Sequence, residues 1–210
     1  KDFGGYPLIK FTIDYSLKCK LIHKTIVSTD DNEIAKIAKK YGAEVPFMRP
    51  KELAEDEVQD FPVFEHALEH SEKIYKKKYD LLVLLRPTSP LRPEGLIEKG
   101  IKQILKNSKA TSLRSVTSSS EHPYRQWHKE GNFIRSFSKN HHNSEPYNIP
   151  RQKLKKAYFQ TGDIEIIKRE TILSGSISGK NVIPLEIDQN VVNDIDDILD
   201  FKNAEKKYNE

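Results

Sequence analysis

Arg86, Thr88, Ser89 and Arg92 crowd into a single seven-residue stretch, Arg-Pro-Thr-Ser-Pro-Leu-Arg, in which Pro87 and Pro90 fix φ between them. Two guanidiniums and two hydroxyls at this spacing can grip a phosphate or a carboxylate through charge-assisted hydrogen bonds. The same residues also suit an ordinary strand-to-helix turn. In that reading Thr88 or Ser89 satisfies backbone donors and the arginines face solvent. Spacing alone leaves both readings open.

The stretch needs a platform, and the sequence supplies one. Leu81 to Leu85 is an unbroken apolar run, too short for a helix, as expected of a strand covered on both faces in a parallel sheet between helix layers. In open sheets of that kind, ligands bind outside the carboxyl ends of the strands, where Arg86 to Arg92 would lie. Upstream, Leu8 to Leu17 has helical spacing, and Lys24 to Thr29 is a β-branched strand candidate. Asp30 is placed to cap a helix over Asn32 to Tyr41, Gly42 to stop it, and Glu44 to Met48 to form the next strand. Strand, helix and strand at this spacing make a right-handed βαβ unit. Lys51 to Phe61 is acidic and irregular, and Pro62 opens a helix through Ile74. A helix over Pro93 to Asn107 and a strand over Ala110 to Val116 follow the organising strand.

From Thr117 to Pro150 the composition shifts to serine, histidine and proline, and only Asn132 to Phe137 has strand character. We read residues 117–150 as an insertion, a dimerisation arm on an α/β domain formed by residues 1–116 and 151–210. His122, His128, His141 and His142 lack a ligand spacing such as His-x-x-x-His, so no zinc site is expected there. Order returns at Arg151-Gln152. Tyr158 to Ile167 is a strand broken by Thr161-Gly162, Val182 to Ile187 is another, and Asn193 to Asp197 leads into a closing helix carrying Ile198, Leu199, Phe201, Ala204 and Tyr208.

Bulk properties narrow the class. The chain of 210 residues can bury a core, and no apolar run reaches the ~18 residues that a membrane span needs. Cys19 stands alone, which excludes an intrachain disulfide framework and fits a reducing cytoplasm. The net charge is +4, but 31 acidic residues interleave with 35 basic ones. Lys36, Lys39 and Lys40, and the run Lys76 to Lys78, read as solvated faces and an edge gatekeeper; no nucleic-acid partner is expected. A helix pattern that begins directly after Gly4, Gly5 and Pro7 resembles a helix leaving an earlier strand, so residues preceding Lys1 are expected.

Several segments in this order carry a resemblance. They are Val27-Ser28-Thr29-Asp30-Asp31 with Glu33-Ile34-Ala35, Gly42 to Phe47 with Arg49-Pro50, Arg86 to Arg92, Arg151-Gln152, and Asp194-Ile195-Asp196. Across essentially the whole chain the sequence resembles the acylneuraminate cytidylyltransferases, also called CMP-sialic acid synthetases. The resemblance implies a Rossmann-like, mostly parallel sheet of the nucleotide-diphospho-sugar transferase type, with a small dimerisation insertion. It implies an enzyme that joins CTP to an acidic nine-carbon sugar (sialic, legionaminic or pseudaminic acid) and releases pyrophosphate, as a homodimer. By position, Asp194 and Asp196 are the implied Mg2+-holding pair, since carboxylates at i and i+2 on extended backbone project to one side. Arg49, Arg86, Pro87, Thr88 and Ser89 are implied to line the nucleotide pocket, and Arg151 and Gln152 to meet the sugar's carboxylate and acyl-amide. Without the resemblance, Asp194 and Asp196 also suit an acidic cap, and Arg151 a surface ion pair.

This sequence departs from the family pattern in places. The opening strand and Arg-x-Gly-Ser-Lys-Gly loop that wrap the triphosphate are absent from it. Tyr6 stands where lysine is frequent, Arg86 replaces a common glutamine, and Lys155-Lys156 lacks the usual proline after the Arg-Gln pair. Two other readings therefore stand beside the leading one: a non-catalytic homologue that binds nucleotide or sugar without the phosphate loop, and a nucleotidyltransferase for another substrate on the same scaffold.

Overall fold

The structure is a computed structural model. It describes residues 1–138 and 144–210, so His141 and His142 lie outside the described residues. In chain order the strands are β1 (Asp2–Phe3), β2 (Tyr6–Pro7), β3 (Leu81–Leu84), β4 (Ser112–Ser118), β5 (Trp127–Glu130), β6 (Phe133–Ser136), β7 (Tyr158–Lys168) and β8 (Val182–Glu186). The α-helices are α1 (Leu8–Lys18), α2 (Asn32–Lys40), α3 (Asp60–Tyr75), α4 (Leu96–Lys106), α5 (Arg169–Leu173) and α6 (Ile198–Asn209).

The central sheet has the order β3-β7-β4-β8. Strand β4 runs parallel to β8, while β7 runs antiparallel to both β3 and β4. Thus β3, β4 and β8 share one direction and β7 alone is reversed: the sheet is mixed, with its one antiparallel strand in the interior. Successive side chains on β7 point to opposite faces. Ile164 and Ile166 pack with Leu96, Ile97, Ile101 and Ile104 of α4, whereas Ile167 packs with Leu68 of α3 and Ile172 of α5. Helices therefore cover both faces, as the apolar run in β3 requires. The contact with α4 is close, since a Cβ at Gly100 would stand 2.7 Å from Ile166 Cδ1.

Several local outcomes differ from the sequence reading. Asp31, not Asp30, caps α2, its Oδ1 accepting from the N–H groups of Glu33 (2.7 Å) and Ile34 (2.9 Å). The segments around Lys24–Thr29 and Glu44–Met48 do run side by side in parallel. Their regular pairing, however, is a single bridge between Ile26 and Glu44, extended by Arg49 N–H to Thr29 O at 2.8 Å. In the arm, Asn132 to Phe137 has a partner that composition concealed: β5 pairs with β6 as a hairpin. Strand β4 continues to Ser118, so the sheet extends slightly into the expected insertion. Helix α5 was not anticipated at all.

The Thr161-Gly162 interruption is real but does not end the strand. Pairing advances from Arg114↔Glu165 to Val116↔Gln160, two residues in β4 against five in β7. Thr161, Gly162 and Asp163 are thereby extruded as a bulge, and Ser115 Oγ takes up the slack by accepting from Ile164 N–H at 3.0 Å. The outer edge of β3 faces a cavity of about 730 Å³, with Thr25 to Ser28 on its opposite wall and α1 over it.

Candidate active site at the carboxyl end of the third strand

After β3 the chain turns sharply, Ser89 N–H donating to Arg86 O at 3.2 Å, with the two prolines restricting the alternatives. This turn meets the segment before α6. Ile195 N–H donates to Thr88 O at 2.9 Å, and Ser89 Oγ lies 3.4 Å from Asp194 Oδ1. Ser89 is only 1% exposed, so its hydroxyl faces protein and not bulk water. The Thr88-Ser89 turn and the Asp194-Ile195 segment are therefore in direct contact, although about a hundred residues separate them in sequence.

Helix α6 does not use Asp194 and Asp196 as its cap. Asp197 accepts from Leu199 N–H and Asp200 N–H, and Asp200 accepts in return from Asp197 N–H, a complete capping box. Asp194 and Asp196 are thus released from the capping role that the sequence left open. Asp196 is exposed, its own N–H donating to Asp200 Oδ2.

Arg92 fits neither reading that its spacing left open, a ligand-gripping guanidinium or one facing solvent. It is 7% exposed and directs its donors at protein: Nε to Asp163 O (2.6 Å), Nη1 to Thr12 Oγ1 (3.0 Å) and Nη2 to Arg86 O. Arg92 thereby staples α1, the β3 turn and the β7 bulge together under the cleft. Burial draws its pKa down to about 10, against the opposing pull of Asp163, Tyr15 and Asp194.

Beside it lies Asp163, which the sequence reading passed over. Its residue is 1% exposed, and its Oδ2 is buried with no hydrogen-bond partner. Burial pushes the carboxyl above its ordinary range and the charge on Asp194 adds to this, while a hydrogen bond from Thr161 and the charge on Arg92 oppose it. The signal available in sequence was the glycine before it, since a lone glycine in a strand marks a bulge or a close backbone approach. Both hold here. Gly162 has φ +71°, and a Cβ there would stand 2.9 Å from Asp194 Oδ2. Gly162→Ala is accordingly expected to lower stability by about 2 kcal/mol, from the left-handed backbone and the displaced carboxylate together. A shift in the urea midpoint at constant slope measures it.

Arg86 reaches the cavity mouth but is already engaged. Its Nη2 lies 2.7 Å from Asp60 Oδ2 and 3.3 Å from Oε1 of the buried Glu165. Arg49 lines the same cavity, its Nη2 3.7 Å from Asp30 Oδ1 and its Nε buried without a partner. Pro87 completes that rim. Arg151 and Gln152 sit apart, exposed on a 3-10 turn over Arg151–Lys153. Among the described residues, no side-chain hydrogen bond or ion pair joins either to the Ser89–Asp194 cluster. Also among the described residues, no three His, Cys, Asp or Glu side chains converge as a metal cage. Among the described residues, no helix is long and apolar enough to cross a membrane.

A family model described as Cytidylyltransferase matches residues 1–200. The chain belongs to the cytidylyltransferase family. Among curated relatives, it is 33% identical over 208 residues to post-translational flagellin modification protein B of Campylobacter coli, covering 98% of this chain and 85% of the relative. It is 31% identical over 216 residues to the CMP-N,N'-diacetyllegionaminic acid synthase of Campylobacter jejuni, covering 98% and 85%. Among solved structures, it superposes on CMP:2-keto-3-deoxy-manno-octonic acid synthetase complexed with CTP with a TM-score of 0.70, covering 100% of this chain and 90% of that one. At 13% identity that likeness speaks for the fold: the cytidylyltransferase shares a nucleotidyltransferase α/β scaffold, and it is an enzyme of that class.

Proposed function

We propose that this cytidylyltransferase joins CTP to an acidic nine-carbon nonulosonic acid and releases pyrophosphate. The observation that carries the reading is the meeting of the Thr88-Ser89 turn with Asp194 at the carboxyl end of β3, where sheets of this kind bind ligands. The names of relatives support the sugar class, for they include a legionaminic acid synthase and a pseudaminic acid cytidylyltransferase.

In this reading the sugar's anomeric hydroxyl attacks the α-phosphorus in line. The new O–P bond forms as the bond to the β-phosphate's bridging oxygen breaks. The protein's part is to position and to stabilise charge, with little covalent work. Thr88 and Ser89, with Arg49, Arg86 and Pro87, border the nucleotide. Arg86 serves it from within its pairing with Asp60 and Glu165, which fixes the guanidinium in place. Asp194 and Asp196 hold Mg2+, which when bound offsets negative charge on the phosphates. The donor chemistry fits a hard cation. The Asp194 carboxylate acts on the charge of Asp163, whose Oδ2 is buried and unpartnered, and Mg2+ is commonly held by one or two carboxylates with substrate phosphates and water completing its shell.

Arg151 and Gln152 meet the sugar. Arg151→Ala is expected to raise the KM for the sugar at least tenfold, about 1.4 kcal/mol, while KM for CTP stays within twofold. Equal rises in both would remove Arg151 from the sugar side. The β5–β6 arm supports a homodimer: Phe133 is 68% exposed and Ile134 and Phe137 are exposed as well, apolar area suited to a second copy. The lone, buried Cys19 is compatible with a cytoplasmic enzyme. Pyrophosphate release, with CTP and a panel of sialic, legionaminic and pseudaminic acids, tests the whole reading. One of the sugars should support turnover, and failure of all of them while CTP binds would overturn it.

A further inference from the structure

We propose that Asp163 is a positioning residue for the cation, supplying from the sheet floor the negative charge that a divalent ion at Asp194 neutralises. This deepens the magnesium reading above and rests on it. The argument begins with the imbalance around the bulge. Asp163 is 1% exposed and its Oδ2 is buried without a partner. Such an oxygen is costly to leave unmatched, more so when the group is ionised. Arg92 is the obvious counter-charge, yet three of its five N–H donors go to the carbonyls of Asp163 and Arg86 and to the Thr12 hydroxyl, one from each guanidinium nitrogen. It acts on the Asp163 carboxylate only through space. Asp194, which repels Asp163, is held close by Gly162, where any Cβ would stand 2.9 Å from its Oδ2.

Two carboxylates therefore act on one another beside Gly162, and the arginine whose charge reaches both directs its hydrogen bonds to carbonyl and hydroxyl oxygens. A divalent cation at Asp194 balances the pair. Asp163 need not touch it: in a site screened from water, a nearby fixed charge raises cation affinity at longer range than in solvent. This is consistent with the lack of a three-carboxylate cage among the described residues. The extrusion of Thr161 to Asp163 from the β4 ladder then has a purpose, because it sets this buried carboxylate within reach of the charges on Asp194 and Arg92 and not in the regular pleat.

The test is Mn2+ titration of the whole 210-residue chain, with and without CTP, read by loss of the free-ion EPR signal and by the cation-induced rise in Tm. Asp163→Asn and Asp163→Ser are compared with the parent, each first shown to melt cooperatively, so that either one suffices. The expected result is an apparent Kd for Mn2+ at least tenfold weaker and a correspondingly smaller Tm rise. A variant that folds and binds Mn2+ within twofold of the parent overturns the role of Asp163 alone. A parent chain that binds no Mn2+ under either condition overturns the magnesium reading and this inference with it.

Discussion

Asp194→Asn is expected to lower kcat for pyrophosphate release about a thousandfold, some 4 kcal/mol of transition-state stabilisation, with the melting temperature held within ~2 °C. The asymmetry follows from what Asp194 touches. Its side chain meets Ser89 Oγ at 3.4 Å, a long contact that contributes little to folding, and asparagine preserves its volume. What is lost is charge facing the cleft. Asp196→Asn removes a carboxylate in the same segment and is expected to fall with it, since the Asp197–Asp200 capping box that anchors α6 is left intact. Parallel measurement of initial rates and thermal melts decides the matter. A large drop in melting temperature with turnover retained would assign both carboxylates a structural role.

Arg92→Leu is expected to do the reverse, costing about 3–5 kcal/mol of stability before any effect on chemistry is considered. The substitution takes a donor from the buried Asp163 carbonyl and from the Thr12 hydroxyl, leaves Arg86 O with only Ser89 N–H and a long contact from Thr12, and leaves Asp163 without its compensating charge. Arg92→Lys keeps the charge but cannot serve three acceptors lying in one plane, so it should fall between the parent and the leucine variant. Urea denaturation of the two variants gives the values directly. In a double-mutant cycle, Asp163→Asn should recover part of the loss from Arg92→Leu, because the carboxylate left uncompensated is then gone. Strict additivity would mean that the two side chains do not sense each other.

How far the sequence foretold this arrangement varies with the kind of information needed. Helices α2 and α4 were legible because their apolar residues recur at helical spacing, and β3 because a short apolar run ends in a proline-rich turn. The reversal of β7 was not. An Ile164 to Ile167 run buries equally well in either direction, and direction is set by where the preceding arm delivers the chain. The hairpin partner β5 was obscured because its alternation of Trp127, His128, Lys129 and Glu130 is mostly polar, its pairing being local and its faces exposed. At the site, the resemblance pointed to Thr88, Ser89 and Asp194 together, which no local pattern could have joined across that separation. Arg92 was misread because spacing reports residue type and not burial. Whether a guanidinium turns to a ligand or to backbone carbonyls depends on α1 and β7 closing over it. Asp163 stayed hidden for the same reason, its meaning resting on a carboxylate delivered by a distant segment.

The placement of β7 between β3 and β4 carries a kinetic corollary. Over residues 165–167 it is hemmed in on both edges, so those amides exchange with solvent only when the sheet comes apart and should rank among the slowest-exchanging in the molecule. The lip formed by residues 188–197 is fastened to the turn after β3 through the backbone by Ile195 and Thr88 alone among the described residues. Protection gained on ligand loading should therefore appear in the lip and barely at all in β7, and the entropy surrendered by that short segment becomes a direct component of affinity.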